Sequence, residues 1–383
     1  MNHLQTLKKV YIVFYKVVLN FVYTTFSILL KQDNKKVVIA LYRTDKLEGN
    51  LKFIHDQLIK QLPDAKIHLV YGQNKMNLKL FKEVFLIANA RYLILDDYYL
   101  PIYLIKPSSN LKVIQLWHAA GAFKKFGYST IGTKFGPSLD YLKLVPIHSN
   151  YTHVYISSEK FMPFYAEAFN MSFNSIFSLG VPRIDLFTNK EICELVKNQL
   201  YVDYPMLLKE GFVNILVAPT YKAEGIYAES SLDVIDSVLK ITQLMNKDKR
   251  IIFKAHPYMN EVDINRLKAC PNVLVVQGHS INEIMLVSDA FITDYSSAVF
   301  EFALLKKPLA HFIPDIEEYN FNRGFYQDIE TISDGEILHK DSQLLDWINE
   351  RIHNEFFNTT RMIKYNFDNT ENVSKKIVEH FTS

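Results

Sequence analysis

Strand-length apolar runs alternate with helix-length amphipathic runs along most of this chain, and that alternation leaves few folds open. Residues 36–42, 65–71, 91–95 and 111–117 read as strands, and 51–61 and 78–88 read as helices between them. In 51–61, Leu51, Ile54, Leu58 and Ile59 share one helical face, and Pro63 ends the run. The pattern restarts after Pro182, with strands at 213–217, 250–254, 273–276 and 290–292. Strands alternating with helices predict a parallel sheet covered on both faces. The expectation is therefore an α/β protein of two Rossmann-like lobes. A segment 1–34 precedes a lobe at 35–182, and a second lobe follows at 183–383. At roughly 100–200 residues per domain, 383 residues suit that division.

The formal net charge of +2 lacks the basic excess of a nucleic-acid binder. Cys193 and Cys270 stand far apart without metal-ligand spacing and read as reduced thiols of a cytosolic protein. Residues 10–30 are strongly apolar. No small-residue cleavage site follows, which argues against a signal peptide. The run is long enough to span a bilayer, yet Lys16 would sit in mid-span at a cost. Lys16, Asn20, Thr24 and Ser27 form one narrow polar stripe, while aromatic residues and flanking lysines suit a headgroup boundary. An in-plane helix on the cytoplasmic membrane surface is the expectation, with a spanning helix and a buried first helix as the alternatives.

In open α/β sheets ligands bind beyond the carboxyl ends of strands, and the polar clusters of this chain mostly fall there. Trp117-His118 ends one strand. His118 is placed for general-base work, and the small residues Ala119, Ala120, Gly121 and Ala122 let a ligand approach the backbone. A histidine satisfied within the core is the competing reading. Arg183, in the turn Gly180-Val181-Pro182-Arg183-Ile184-Asp185, offers a fixed charge to a phosphate or is a solvated turn residue. Pro219-Thr220 and Lys254-Ala255-His256 again follow strands, and Thr220 and His256 can hydrogen-bond phosphate oxygens. Ser296-Ser297, after the strand at 290–292, can cradle a phosphate, or Asp294 or Ser296 merely caps the next helix. Glu301, four residues after Ser297, would face the same crevice. A weaker cluster, 315–319 with 323–326, could be a surface loop. No Asp-x-Asp stands where a metal–diphosphate site would be expected, and no metal or other cofactor is required by any residue in view. The two-lobe plan suggests a nucleotide-diphosphate donor held by positive groups and helix N-termini in a cleft between lobes.

Six ordered motifs carry a resemblance. Trp117-His118-x-x-Gly121-x-x-Lys124-Lys125-x-Gly127, Gly180-x-Pro182-Arg183-x-Asp185, Ala218-Pro219-Thr220-Tyr221, Lys254-Ala255-His256-Pro257, Thr293-Asp294-Tyr295-Ser296-Ser297 and Arg323-Gly324-Phe325-Tyr326 follow one another in family order. From about residue 36 to 330 the chain resembles the CDP-glycerol glycerophosphotransferases of teichoic acid synthesis, closest to the glycerol-phosphate primases. His118-Ala119-Ala120-Gly121 departs from the His-Gly-Thr-Pro of the polymerases, and Glu301 stands where many members have Asp.

The resemblance implies a GT-B fold and a membrane-associated N-terminus at the cytoplasmic face. It implies transfer of glycerol phosphate from CDP-glycerol to a disaccharide on undecaprenyl diphosphate, with release of CMP. His118 and His256 are then catalytic. Ala119, Ala120, Gly121, Ala122, Arg183, Pro219, Thr220, Lys254, Ala255, Ser296, Ser297 and Glu301 bind the donor, Glu301 through a ribose hydroxyl. Transfer of ribitol phosphate, extension of a teichoic acid or capsule chain, and a nucleotide-sugar GT-B glycosyltransferase are the alternatives. Partnership with nucleic acid is not expected; contact with other teichoic acid enzymes is.

Overall fold

The computed structural model describes residues 3–42, 44–71, 75–134, 136–220, 234–256, 259–353 and 357–383. The chain divides into two compact units. Unit 1 comprises Met1–Ala119, Phe126–Asp185 and Asp368–Ser383; unit 2 comprises Ala120–Lys125 and Leu186–Phe367. Where the sequence suggests a single crossing at 182/183, the chain crosses four times, and its C-terminal segment returns to unit 1.

Unit 1 holds a parallel sheet of six strands in the order β2-β1-β3-β4-β5-β6. They are β1 (Asp33–Ala40), β2 (Lys66–Val70), β3 (Ala90–Leu95), β4 (Lys112–Gln115), β5 (His153–Tyr155) and β6 (Ile176–Phe177). β3 is buried almost throughout and β1 from Lys36 to Ala40, as strands covered on both faces must be, which is why they read as continuous apolar runs. The strand order reverses between β1 and β3, so the open crevice of this sheet lies at their carboxyl ends.

The helices of unit 1 include α1 (His3–Leu29), α2 (Gly49–Gln61), α3 (Lys79–Ile87), α4 (Leu100–Leu104), α5 (Leu139–Leu144) and α6 (Met162–Phe169). α1 is long and apolar enough to cross a membrane by length and composition. Its inner side is nevertheless part of the unit. Tyr15, Leu19 and Tyr23 are buried, and Phe26 packs edge-on against Phe85 of α3 at 4.7 Å. The polar stripe also turns inward: Lys16 Nζ donates to the Leu144 carbonyl at 3.0 Å, and Asn20 Oδ1 accepts the Lys106 amide at 2.7 Å. The buried alternative thus holds for one side of the helix, and the other side is exposed.

Unit 2 holds β7 (Val213–Val217), β8 (Lys249–Lys254), β9 (Val273–Val276), β10 (Ala290–Thr293), β11 (Leu309–Phe312) and β12 (Glu336–Leu338). Their parallel order is β12-β11-β10-β7-β8-β9, the dinucleotide-fold order with its switch point between β7 and β10. Ile215, Val217, Ile251, Phe253 and Ile292 build its core against Trp347 and Leu344.

Candidate active site

In unit 1 the carboxyl ends of β3 and β4 bring two residues together that lie far apart in sequence. Asp97, two residues past β3, is buried, and its Oδ2 lies 3.3 Å from Nδ1 of His118, three residues past β4. That is an ion-pair distance, longer than a well-formed charge-assisted hydrogen bond. The His118 side chain keeps 28% of its surface exposed. With Nδ1 turned to a carboxylate, Nε2 is the ring nitrogen left to take a proton.

The backbone around His118 is held on every side. Gln115 Oε1 accepts the Trp117 amide at 2.9 Å while its Nε2 donates to the Asp97 carbonyl at 3.0 Å. One buried glutamine thus ties both strand ends. Asn50, in the first turn of α2, donates to the Trp117 carbonyl at 2.6 Å and accepts the Arg183 amide at 3.1 Å. Arg183 Nη1 in turn donates to the His118 carbonyl at 2.9 Å. The clamp is needed because Trp117 has φ +53, a left-handed conformation that costs a bulky residue energy and persists only where the surroundings impose it. Behind Trp117 sits His148, fully buried, 5.5 Å away between ring centroids and with φ +61. Burial, with the nearby charge of His118, holds the His148 imidazole down to about 3.

The turn motif around Arg183 has a second role. Asp185 accepts the amides of Val373 and Ser374 at 2.8 and 2.9 Å, capping the C-terminal helix Val373–Thr382, and the Pro182 carbonyl accepts the Ser374 hydroxyl. Gly180, at φ +111, lies so close that an added Cβ would stand 2.8 Å from Val373 Cγ1.

In unit 2 the sequence-predicted residues collect at the carboxyl ends of three adjacent strands. Thr220 follows β7, Lys254 ends β8 with Ala255 and His256 just beyond, and Ser296 and Ser297 follow β10. Lys254, His256, Pro219, Thr220, Ser296 and Ser297 are half-buried, and Ala255 is buried. Tyr221, Lys222 and Pro257, the continuations of two motifs, lie outside the described residues. Asp294 organises this edge. Its Oδ1 accepts the Thr220 amide at 2.8 Å, the Thr220 hydroxyl at 2.6 Å and the Tyr295 amide at 2.6 Å. Its buried Oδ2 has no hydrogen-bond partner among the described residues. Ser296 Oγ accepts the Ala298 amide at 3.3 Å, a local turn, whereas the Ser297 side chain makes no cap bond. Neither Asp294 nor Ser296 is the N-cap of the helix Ala298–Ala303, so the capping alternative does not describe this turn.

Two expectations meet a different geometry. Glu301 does not face open space: it is fully buried, with Asn282 Nδ2 donating to its Oε2 at 3.0 Å. Ala119 keeps part of its surface, but Ala120, Gly121 and Ala122 are buried in unit 2, and a Cβ on Gly121 would stand 2.9 Å from Phe300. Smallness there serves close packing. Lys125 and Phe123 pair through their backbones with Gly324 and Tyr326, and the rings of Phe123, Phe325, Tyr319 and Tyr295 follow in a stack. The cluster 315–326, read as a loop, is therefore the seat of this short strap.

Asp97 escaped the sequence reading. The signal available was its place, in the pair Asp96-Asp97 directly after a buried strand. Among the described residues no group of three or more His, Cys, Asp or Glu is placed to hold a metal ion.

Residues 22–380 match the family model described as CDP-Glycerol:Poly(glycerophosphate) glycerophosphotransferase. A teichoic acid ribitol-phosphate primase of Bacillus spizizenii is 39% identical over 82% of this chain and 82% of its own. A teichoic acid poly(ribitol-phosphate) polymerase of the same organism is 35% identical over 94% of this chain and 58% of its own. A teichoic acid glycerol-phosphate primase of Bacillus subtilis is 24% identical over 83% of this chain and 81% of its own. In fold, the chain is similar to the wall teichoic acid polymerase TagF, with a TM-score of 0.75 at 17% identity over 100% of this chain and 98% of that one. A UDP-GlcNAc 2-epimerase from Methanocaldococcus jannaschii follows at 0.57 and 14% identity, over 91% and 99%. The chain belongs to the CDP-glycerol:poly(glycerophosphate) glycerophosphotransferase family and is a CDP-alcohol phosphotransferase of teichoic acid biosynthesis.

Proposed function

We propose that the protein primes wall teichoic acid, moving a polyol phosphate from its CDP ester to a hydroxyl of a disaccharide carried on undecaprenyl diphosphate. The observation that carries this reading is the His118 imidazole, partly exposed on a clamped loop, with buried Asp97 at Nδ1. The acceptor oxygen attacks the phosphorus that bears the polyol. The bond from that phosphorus to CMP breaks, and the acceptor proton passes to Nε2 of His118. Asp97 fixes the ring and stabilises the imidazolium that forms. Arg183 acts here as a positioning residue, through the His118 carbonyl.

Unit 2 is assigned the donor. Thr220, Lys254, His256, Ser296 and Ser297 lie where its switch-point crevice opens, and hydroxyl and positive groups there suit a diphosphate whose charge grows as CMP departs. Ala255 and Pro219 border the same edge. Asp294 Oδ2, a buried acceptor without a donor among the described residues, suits a hydroxyl of the nucleotide or polyol. Enzyme and lipid-linked acceptor meet at the cytoplasmic face of the cell membrane, to which the protein binds peripherally.

The motifs resemble those of glycerol-phosphate primases, but the pattern of identity supports a second alcohol. Ribitol-phosphate enzymes match at 39% and 35%, a glycerol-phosphate primase at 24%. CDP-ribitol is therefore the favoured donor and CDP-glycerol the other. CMP release is measured with each CDP-alcohol and with nucleotide sugars, against the lipid-linked disaccharide bare or already carrying one glycerol phosphate. The expected outcome is turnover with a CDP-alcohol alone, lost in His118→Ala by about 10²–10⁴-fold. Turnover with a nucleotide sugar, or a His118→Ala variant at the normal rate, overturns the reading.

A further inference from the structure

We infer that docking of the outer side of α1 on an anionic bilayer raises the turnover of His118. The inference rests on the phosphotransfer and membrane readings above and adds a coupling between them.

The outer side is a single stripe. Val10, Val13, Phe14, Val17, Phe21 and Ile28 recur at helical spacing, and Phe14 and Phe21 are 67% and 69% exposed. Exposed Leu78 and Leu139 each lie one residue from a point where α1 is tied down: Asn77, whose carbonyl accepts Tyr15 Oη, and Asp140, which pairs with Lys9. Charge selects the occupant. No Asp or Glu occurs in the first 32 residues; Lys8 and Lys31 flank the stripe, while the charge of Lys9 is offset by Asp140. A positive, apolar surface one helix long fits anionic lipid.

The inner side leads to the base. Lys16 holds the Leu144 carbonyl, the last of α5; Asn20 and Tyr23 hold the Lys106 and Ser108 amides that follow α4. The two segments so gripped are tied to each other. Asn150 Nδ2 donates to the Ile102 and Ile105 carbonyls at 2.7 and 3.2 Å, and the hydroxyls of Tyr103 and Tyr151 lie 2.6 Å apart. One segment starts beside Asp97. The other carries His148, hydrogen-bonded to Tyr151 and set behind Trp117. Trp117, His148 and Asn150 all have left-handed backbones, at φ +53, +61 and +70. Trp117, for whose bulk the left-handed backbone is costly, stays in place only while its surroundings dictate it, and α1 is tied to those surroundings. In water the stripe favours any arrangement of α1 that hides it. A bilayer binds the seated arrangement, and with it the Asp97–His118 pair. A spanning arrangement would pull Lys16 and Asn20 from these bonds into hydrocarbon.

The test uses the full chain, a water-soluble short-chain acceptor that does not enter lipid, and mixed phosphatidylcholine–phosphatidylglycerol vesicles. The wild type is expected to float with the vesicles and to release CMP about five- to tenfold faster in kcat, within the range of coupled sites. A Phe14→Glu, Val17→Glu variant keeps the basal rate but neither floats nor responds. Lys16→Met floats, keeps the KM for donor, and loses the rise in kcat; Lys16→Arg regains it. A wild type that floats without stimulation, or Lys16→Met stimulated like wild type, overturns the coupling and leaves the membrane reading standing. A wild type that does not float, or that self-associates through this stripe in the presence of vesicles, overturns both. Failure to release CMP from any CDP-alcohol sinks the phosphotransfer reading instead.

Discussion

In the proposed mechanism the His118 base depends on the buried carboxylate of Asp97 beside it. In that mechanism the carboxylate beside Nδ1 sets the ring for proton transfer at Nε2, so removing its charge leaves the base in place but wrongly set. Asp97→Asn is expected to lower kcat for CMP release by about 10²–10⁴-fold. Donor affinity by titration calorimetry and the melting temperature should stay near wild type; a normal rate would show that His118 works without its partner. His148, behind the same loop, gives a prediction about stability. Its folded imidazole is held down to about 3 by burial and by His118, below the ordinary value of the unfolded chain. Between about 6.5 and 3 the unfolded state therefore binds a proton that the folded state refuses. Its contribution is present above that window and is lost as pH falls through it. His153, held down to about 4, adds to the same trend. His148→Asn keeps a residue that tolerates the left-handed backbone but does not titrate. Urea unfolding from pH 7 to 4 should show a shallower loss of stability for this variant than for wild type.

At the scale of elements, Gly180 is the position where one atom decides the seat of a helix. At φ +111, and with Val373 Cγ1 2.8 Å from an added Cβ, Gly180→Ala strains its own backbone and pushes the C-terminal helix away. A cost of about 2 kcal/mol is expected, read as a lower melting temperature and faster proteolysis of the tail. Adding Val373→Ala should restore part of it; no recovery would place the cost in the backbone alone. This helix was invisible in the sequence, because nothing local says that Val373–Thr382 returns to unit 1. Eight strands were legible, since β1–β4 and β7–β10 are apolar runs bounded by polar turns. β5 and β6 have three and two residues, too short for any period, and they exist only because a neighbouring strand pairs with them. The site divides the same way. His118, His256 and the Ser296-Ser297 turn were legible as polar residues at strand ends. The burial of Glu301, the close packing of Gly121, and the Arg183 bond to the His118 carbonyl are tertiary facts that no local pattern encodes.

At the scale of the whole molecule, the first 30 residues carry two properties that a sequence profile cannot separate. Their outer side is exposed, but their inner side is core. Reading 10–30 only as a lipid anchor implies that its removal leaves the lobes intact and more soluble. The packing implies otherwise. Deletion of residues 1–30 removes Tyr15, Leu19 and Tyr23 from their buried places, at about 1.5–3 kcal/mol per side chain. It also strips partners from the Leu144 carbonyl and from the Lys106 and Ser108 amides. The truncated chain is expected to melt lower and to aggregate more than the full chain. By contrast, replacing Val10, Phe14, Val17 and Phe21 with Gln or Glu alters only exposed positions. That variant should keep the wild-type melting temperature and become easier to hold in solution without detergent. Differential scanning calorimetry on the two proteins checks both halves. A truncation with wild-type stability would show that α1 contributes nothing to unit 1. A four-site variant that unfolds would show that the outer stripe is packed against the protein.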